Sequence, residues 1–136
     1  TEPSISPEEF QWVCAELDKR GIDAIEVSGG AAVDAKSGST QVVKSEDEEG
    51  VFATEAIRIA EAVSASVISV CGYRTPAMIE KWLNRGGVHA ISLCRPLISE
   101  PDLVGRWQNG DGKKSRCISC NQCFNPDLLC KPFAGS

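Results

Sequence analysis

One histidine, one tyrosine and one methionine are all that 136 residues contain of those three types. The histidine, His89, opens the apolar run HAISL, so the only imidazole falls at the start of a predicted strand rather than at its end. Long apolar runs are missing as well: nothing approaches the roughly 20 residues that a membrane-spanning helix needs. The opening TEPSISPEEF has neither the basic start nor the apolar stretch of a secretory signal. A basic surplus is also absent. The net charge is −5 and the Lys and Arg residues are scattered, which argues against nucleic acid and anionic membranes as partners. The seven cysteines do not form an even framework; Cys14, Cys71 and Cys94 fall in predicted helices or strands, and four crowd into residues 117–130. That layout suits reduced thiols plus one local cluster, so a cytoplasmic protein is expected. With 42% hydrophobic residues, the chain can fill a packed core.

What is present alternates. Ser6-Pro7-Glu8-Glu9 supplies a capping serine, a proline for the first turn and acids at the positive end of the helix dipole. Phe10, Val13, Cys14 and Leu17 follow at helical spacing until Gly21 closes the segment. Ile22 to Val27 reads as a strand ending at Ser28-Gly29-Gly30. Residues 31–50 are polar and rich in Gly, Ser and acids, which predicts a long exposed loop; the acids Glu46 to Glu49 read as a solvated surface rather than a cation site. A helix over about 51–63 precedes the strand Ser66 to Cys71, which Gly72 closes. Thr75-Pro76 then begins a helix reaching about Asn84, His89 to Leu93 forms a strand, and a short helix runs from about Glu100 to Gln108. Trp12, Trp82 and Trp107 lie on three of these helices and are expected to pack against neighbouring units.

Strands separated by helices pair in parallel through crossover connections, which makes the fold class α/β. Three strands alone would leave two bare edges, whereas the same units fit as part of a (β/α)8 TIM barrel of about 250 residues. In such folds function gathers at the carboxyl ends of the strands. Here those ends are Ser28-Gly29-Gly30, Cys71-Gly72-Tyr73-Arg74 and Cys94-Arg95-Pro96. Gly72 would let a backbone amide approach an anion, and the helix beginning at Thr75-Pro76 would aim its free amides the same way. Arg95 adds a forked cation suited to phosphate oxygens. The plainer alternative is that Gly72 only turns the chain while Arg95 pairs with Glu100 or Asp102. His89, at the opposite end of its strand, belongs to the face that serves stability.

The run GIDAIEVSGG, followed by ISVCGYRTPAMIEKWLNRGGVHAISLCRPLISEPDLVGRWQNGD, resembles the C-terminal part of NADH:flavin oxidoreductases (NADH oxidases) of the old yellow enzyme family. The likeness covers roughly residues 5–125 and is strongest over 66–110. It implies a partial TIM barrel, with residues 1–110 as about the last three β/α units of an FMN-binding barrel and 111–136 as a Cys-rich tail. It also implies an FMN-dependent NAD(P)H oxidoreductase of the ene-reductase type. In that chemistry a nicotinamide passes hydride to FMN, which reduces the activated C=C bond of an unsaturated carbonyl substrate. By the resemblance Gly72, with Tyr73 beside it, offers backbone amides to the FMN phosphate. Cys94 and Arg95 match the pair, commonly Gly-Arg, that holds the same phosphate from the next strand; Cys94 departs from that pattern. The strands that would carry catalytic residues are not in this sequence, so no catalytic residue is assigned. The chain, which opens on Thr1, reads as a fragment whose bare edges favour a homo-oligomer.

Cys117, Cys120, Cys123 and Cys130 form C-x2-C-x2-C-x6-C. Four thiolates so close together suit a tetrahedral zinc or a [4Fe-4S] cluster, and a reduced metal-free tail fits equally. Some members of the resembled family carry a cluster motif similar to C-x2-C-x3-C with a longer final gap, one residue more in the second interval than here. Two other readings of the chain stay open beside the enzyme fragment: a non-catalytic truncated remnant that works by association, and a small metal-binding module built on the four tail cysteines.

Overall fold

The computed structural model describes residues 5–29 and 42–133. Helix α1 (Pro7–Lys19) starts where its capping sequence puts it. The Ser6 N–H donates to Glu9 Oε2 at 2.7 Å and the Glu9 N–H donates to Ser6 Oγ at 3.2 Å, a reciprocal pair that satisfies two amides of the first turn. Gly21, at φ +83°, turns the chain toward strand β1 (Ala24–Val27). Helix α2 (Ala53–Ala60), strand β2 (Ser66–Val70), helix α3 (Pro76–Arg85) and strand β3 (Ala90–Ser92) follow in order. The three strands form one sheet in the order β1-β2-β3, all parallel, with Ile25 opposite Val67 and Ser69 opposite Ile91. The α/β alternation and the parallel pairing are as the sequence predicts.

Side chains alternate across a strand, so each strand offers one set to each face. Ile25, Val27 and Val67 meet Ala56, Ile59 and Cys14 in the buried core, with Leu83 and Ile91 packed at its margin. The other face carries Glu26, Ile68, Val70, Ala90 and Ser92, which are exposed or half-buried. The sheet therefore has a covered side and a bare side.

Four details differ from the sequence reading. Gly30 and residues 31–41 of the expected loop lie outside the described residues, but its later part is not an exposed loop. A 3-10 turn over Glu46–Glu48 is exposed, whereas Val43 and Glu49 are 1% and 2% exposed and Gly50 is buried. Close packing causes this: a Cβ at Gly50 would lie 2.6 Å from Trp82 Nε1, and one at Gly72 would lie 2.7 Å from Val43 Cγ2. Trp12 is 65% exposed rather than packed, because Phe10 and Cys14 face the core and Trp12 lies about 200° round the helix from each. Leu17 is exposed too. Finally, the single late helix is two. Pro96 suits a first turn, so helix α4 (Arg95–Ser99) starts directly after the strand-end loop, and helix α5 (Leu103–Gln108) follows the extended Glu100 and a turn at Pro101-Asp102.

Candidate functional site

The carboxyl ends of β2 and β3 converge on one cavity of about 150 Å³, lined among others by Gly72, Arg74, Cys94, Arg95, Cys117 and Phe124. That is smaller than the roughly 300 Å³ at which pockets for whole small molecules begin, so it suits one charged or polar end of a ligand. The chain leaves β2 through two consecutive left-handed residues, Cys71 at φ +92° and Gly72 at φ +88°. A residue with a Cβ is strained there. Cys71 bears that strain, and Gly72 avoids it while also making room for Val43. Arg95 is the first residue of α4 and only 7% exposed; its Nη1 donates to Asn121 Oδ1 at 2.6 Å. Cys94 is exposed, and its carbonyl accepts from the Leu97 and Ile98 amides to start the helix. Tyr73 is 1% exposed, with its hydroxyl 2.8 Å from Ser69 Oγ. Burial pushes the phenol up, and Tyr73 lines the cavity. His89 directly precedes β3, at the end of that strand away from this cavity, its Nδ1 accepting the Val67 amide at 3.1 Å, a structural role.

Two of the amides leading into α3 are already taken, which the sequence reading did not foresee. Glu49 Oε2 accepts the amides of Arg74 at 2.9 Å and Thr75 at 3.0 Å, and Oε1 accepts from Thr75 Oγ1 at 2.7 Å. Pro76, the next residue, has no N–H. A carboxylate at a helix start meets both the unpaired amides and the positive end of the dipole, which is why this buried acid is tolerated. Arg74 completes the arrangement: its Nε is 3.8 Å from Glu49 Oε1 and its Nη1 donates to the Cys117 carbonyl at 3.2 Å. Gly72 and Arg95 line the cavity beside this buried pair. Sequence reasoning missed Glu49 because nothing local separates it from the exposed acids Glu46, Asp47 and Glu48 before it. It also passed over Arg74, although that residue stands in the same strand-end loop.

The cysteine-rich segment straps across these ends. The Ser115 amide donates to the Arg74 carbonyl at 2.8 Å, Arg116 Nε to the Ser99 carbonyl at 2.5 Å, and Asn121 meets Arg95. Cys117 and Cys123 are buried while Cys120 and Cys130 are half-buried, and all are free thiols. Among the described residues no three or more His, Cys, Asp or Glu side chains are gathered as a metal would need. The expected set of Cys117, Cys120, Cys123 and Cys130 is therefore not assembled. Ser119 and Asn121 are left-handed, at φ +58° and φ +61°, and a turn follows at Gln122-Cys123. Burial pushes the Cys123 thiol up; Cys117 and Cys130 add to that, and Arg95 opposes it.

Glu100 joins the strap to α5. Arg106 Nε donates to its Oε1 at 2.7 Å and the Arg116 amide to its Oε2 at 3.3 Å, so Glu100 is already engaged by residues other than Arg95. Burial alone would raise its carboxyl, but these hydrogen bonds and the charges of Arg106 and Arg116 hold it below its ordinary value of 4.5. A depressed carboxylate stabilises the fold above its unfolded value and ceases to do so as the pH falls through the folded one. Acidification below about pH 4.5 should therefore lower the stability of the parent more than that of Glu100→Gln. Urea midpoints measured for both proteins between neutral and acid pH check this; parallel curves would refute it.

No family model matches the chain. It is 33% identical over 130 residues to a metal reductase of Desulforamulus reducens, covering 93% of this chain and 19% of that protein. An NADH oxidase of Thermoanaerobacter brockii is 30% identical over 115 residues, covering 84% and 17%. Its relatives are oxidoreductases. A bilirubin reductase of Mediterraneibacter gnavus adds a third, 36% identical over 66 residues, covering 48% of this chain and 10% of that protein. The chain spans about a fifth or less of the length of the curated relatives it matches. No described helix is long and apolar enough to cross a membrane.

Proposed function

We propose that this chain is the cofactor-phosphate-holding part of an FMN-dependent NAD(P)H oxidoreductase. Residues 1–110 supply about the last three β/α units of a TIM barrel of the old yellow enzyme type, and 111–136 supply a tail that closes the site. The observation that carries this reading is Arg95: an arginine only 7% exposed, at the end of one parallel strand, shares a small cavity with Gly72 at the end of the next. A buried cation beside a glycine loop fits a phosphate dianion, because the forked donors match its oxygens and the loop brings backbone amides close. The single bare face of the sheet supports the barrel, since the inward side of a barrel strand is covered only when the remaining strands are present.

In this reading the chain's own residues bind and orient. Arg95, with the backbone of Gly72, Tyr73 and Cys94, would hold the phosphate, while Glu49 keeps the start of α3 occupied and so confines the anion to that pair of loops. FMN, when bound, would carry hydride from NAD(P)H to an unsaturated carbonyl substrate. Those reactants, like the catalytic residues, belong to the larger protein.

Arg95→Ala should bind FMN at least tenfold more weakly than the parent, the effect of losing about one charge-assisted hydrogen bond. Titration followed by flavin fluorescence measures it. Equal affinity in the two proteins would rule the assignment out.

A further inference from the structure

We infer that Asn121, in the cysteine-rich tail, is a positioning residue for the anion site: it fixes the Arg95 guanidinium while adding no charge that would cancel it. This rests on the phosphate-holding reading above. Arginine has donors only, so the group facing Nη1 must be the amide oxygen of Asn121, at 2.6 Å. A carboxylate at this position would hold the guanidinium as well but would oppose the charge that draws a phosphate; an amide orients it and leaves that charge in force.

The surrounding geometry holds Asn121 in place. Its backbone is left-handed, φ +61°, a conformation asparagine tolerates better than most residues. The segment before it is anchored to the strand-end loops, because Arg74 donates to the Cys117 carbonyl at 3.2 Å and the Ser115 amide donates to the Arg74 carbonyl at 2.8 Å. Cys117, Ser119 and Phe124, on either side of Asn121, line the same cavity as Arg95 and Gly72. The tail therefore does more than cover the strand ends; it carries the residue that aims the site's cation.

Two substitutions separate an electrostatic role from a merely structural one. Asn121→Asp has the same shape and keeps the acceptor, so a structural role predicts that it is harmless. Asn121→Gly suits the left-handed backbone but removes the acceptor, so a structural role predicts that it is the more damaging. Positioning without neutralisation predicts the reverse order. In fluorescence titrations, Asn121→Asp should bind FMN at least tenfold more weakly than the parent and Asn121→Gly only a few-fold more weakly, with thermal midpoints close to that of the parent. Parent-like affinity in Asn121→Asp, or a greater loss in Asn121→Gly, would overturn the inference while leaving the FMN reading intact if Arg95→Ala still loses affinity. If Asn121→Asp does not fold, Asn121→Gly decides: a few-fold loss of affinity with a parent-like thermal midpoint supports the role, and unchanged affinity, or a loss that comes with a lowered midpoint, overturns it. A parent protein that takes up no FMN would sink the functional reading instead. The same ranking of variants must then appear with inorganic phosphate, and equal phosphate affinities would end the Asn121 inference too.

Discussion

Glu49→Ala should unfold about 3–5 kcal/mol more easily than the parent, the usual cost of removing one partner from a buried ion pair. The side chain of Glu49 is fully buried and that of Arg74 is 10% exposed, so little water is at hand to replace what is lost. The substitution strands two amides and the Thr75 hydroxyl together with the Arg74 charge. Glu49→Gln should lose less, since its amide oxygen can still accept the Arg74 and Thr75 amides while the charge is gone. Urea denaturation of the three proteins measures the differences. A Glu49→Ala protein within experimental error of the parent would show that the buried carboxylate holds nothing in place.

Gly72→Ala is the second large effect, expected at about 2–5 kcal/mol from the left-handed backbone and the overpacking together. At φ +88° a side chain is strained, and the new Cβ would sit 2.7 Å from Val43 Cγ2 and 3.3 Å from Val51 Cγ2. Both contacts come from the segment that carries Glu49, so relief by movement would loosen that acid as well. Gly105→Ala provides the control. Gly105 lies in α5 with open space around it, and alanine there should be neutral or stabilising by up to about 1 kcal/mol through helix propensity alone. If the two substitutions change the denaturation midpoint equally, the left-handed turn after β2 is not the constraint described above.

These two positions also show what could be read from the sequence. The alternation of α1 to β3 was legible because each element is marked by neighbours a few residues away: the Ser6 cap, the period-two apolar runs, the glycines after β1 and β2. The positions of Gly72 and Arg95 just after β2 and β3 were legible for the same reason. Glu49 was not, because its role depends on amides 25 and 26 residues further on. The amides expected to be free at Thr75-Pro76 were misjudged on the same account. Trp12 was misplaced because helical spacing identifies an apolar residue without saying which side of the helix will meet the core. The metal expectation for the four tail cysteines drew on spacing, which carries no sign that Cys117 and Cys123 would be buried and Cys120 and Cys130 half-buried.

The hydrogen bond between Arg95 and Asn121 spans 26 residues. Chains are made from the N-terminus at about 5–20 residues per second, so Arg95 leaves the ribosome roughly one to five seconds ahead of its acceptor. For that interval the nascent chain carries the guanidinium without the amide oxygen that holds it, and the two strand-end loops stand ready before the strap that closes over them exists.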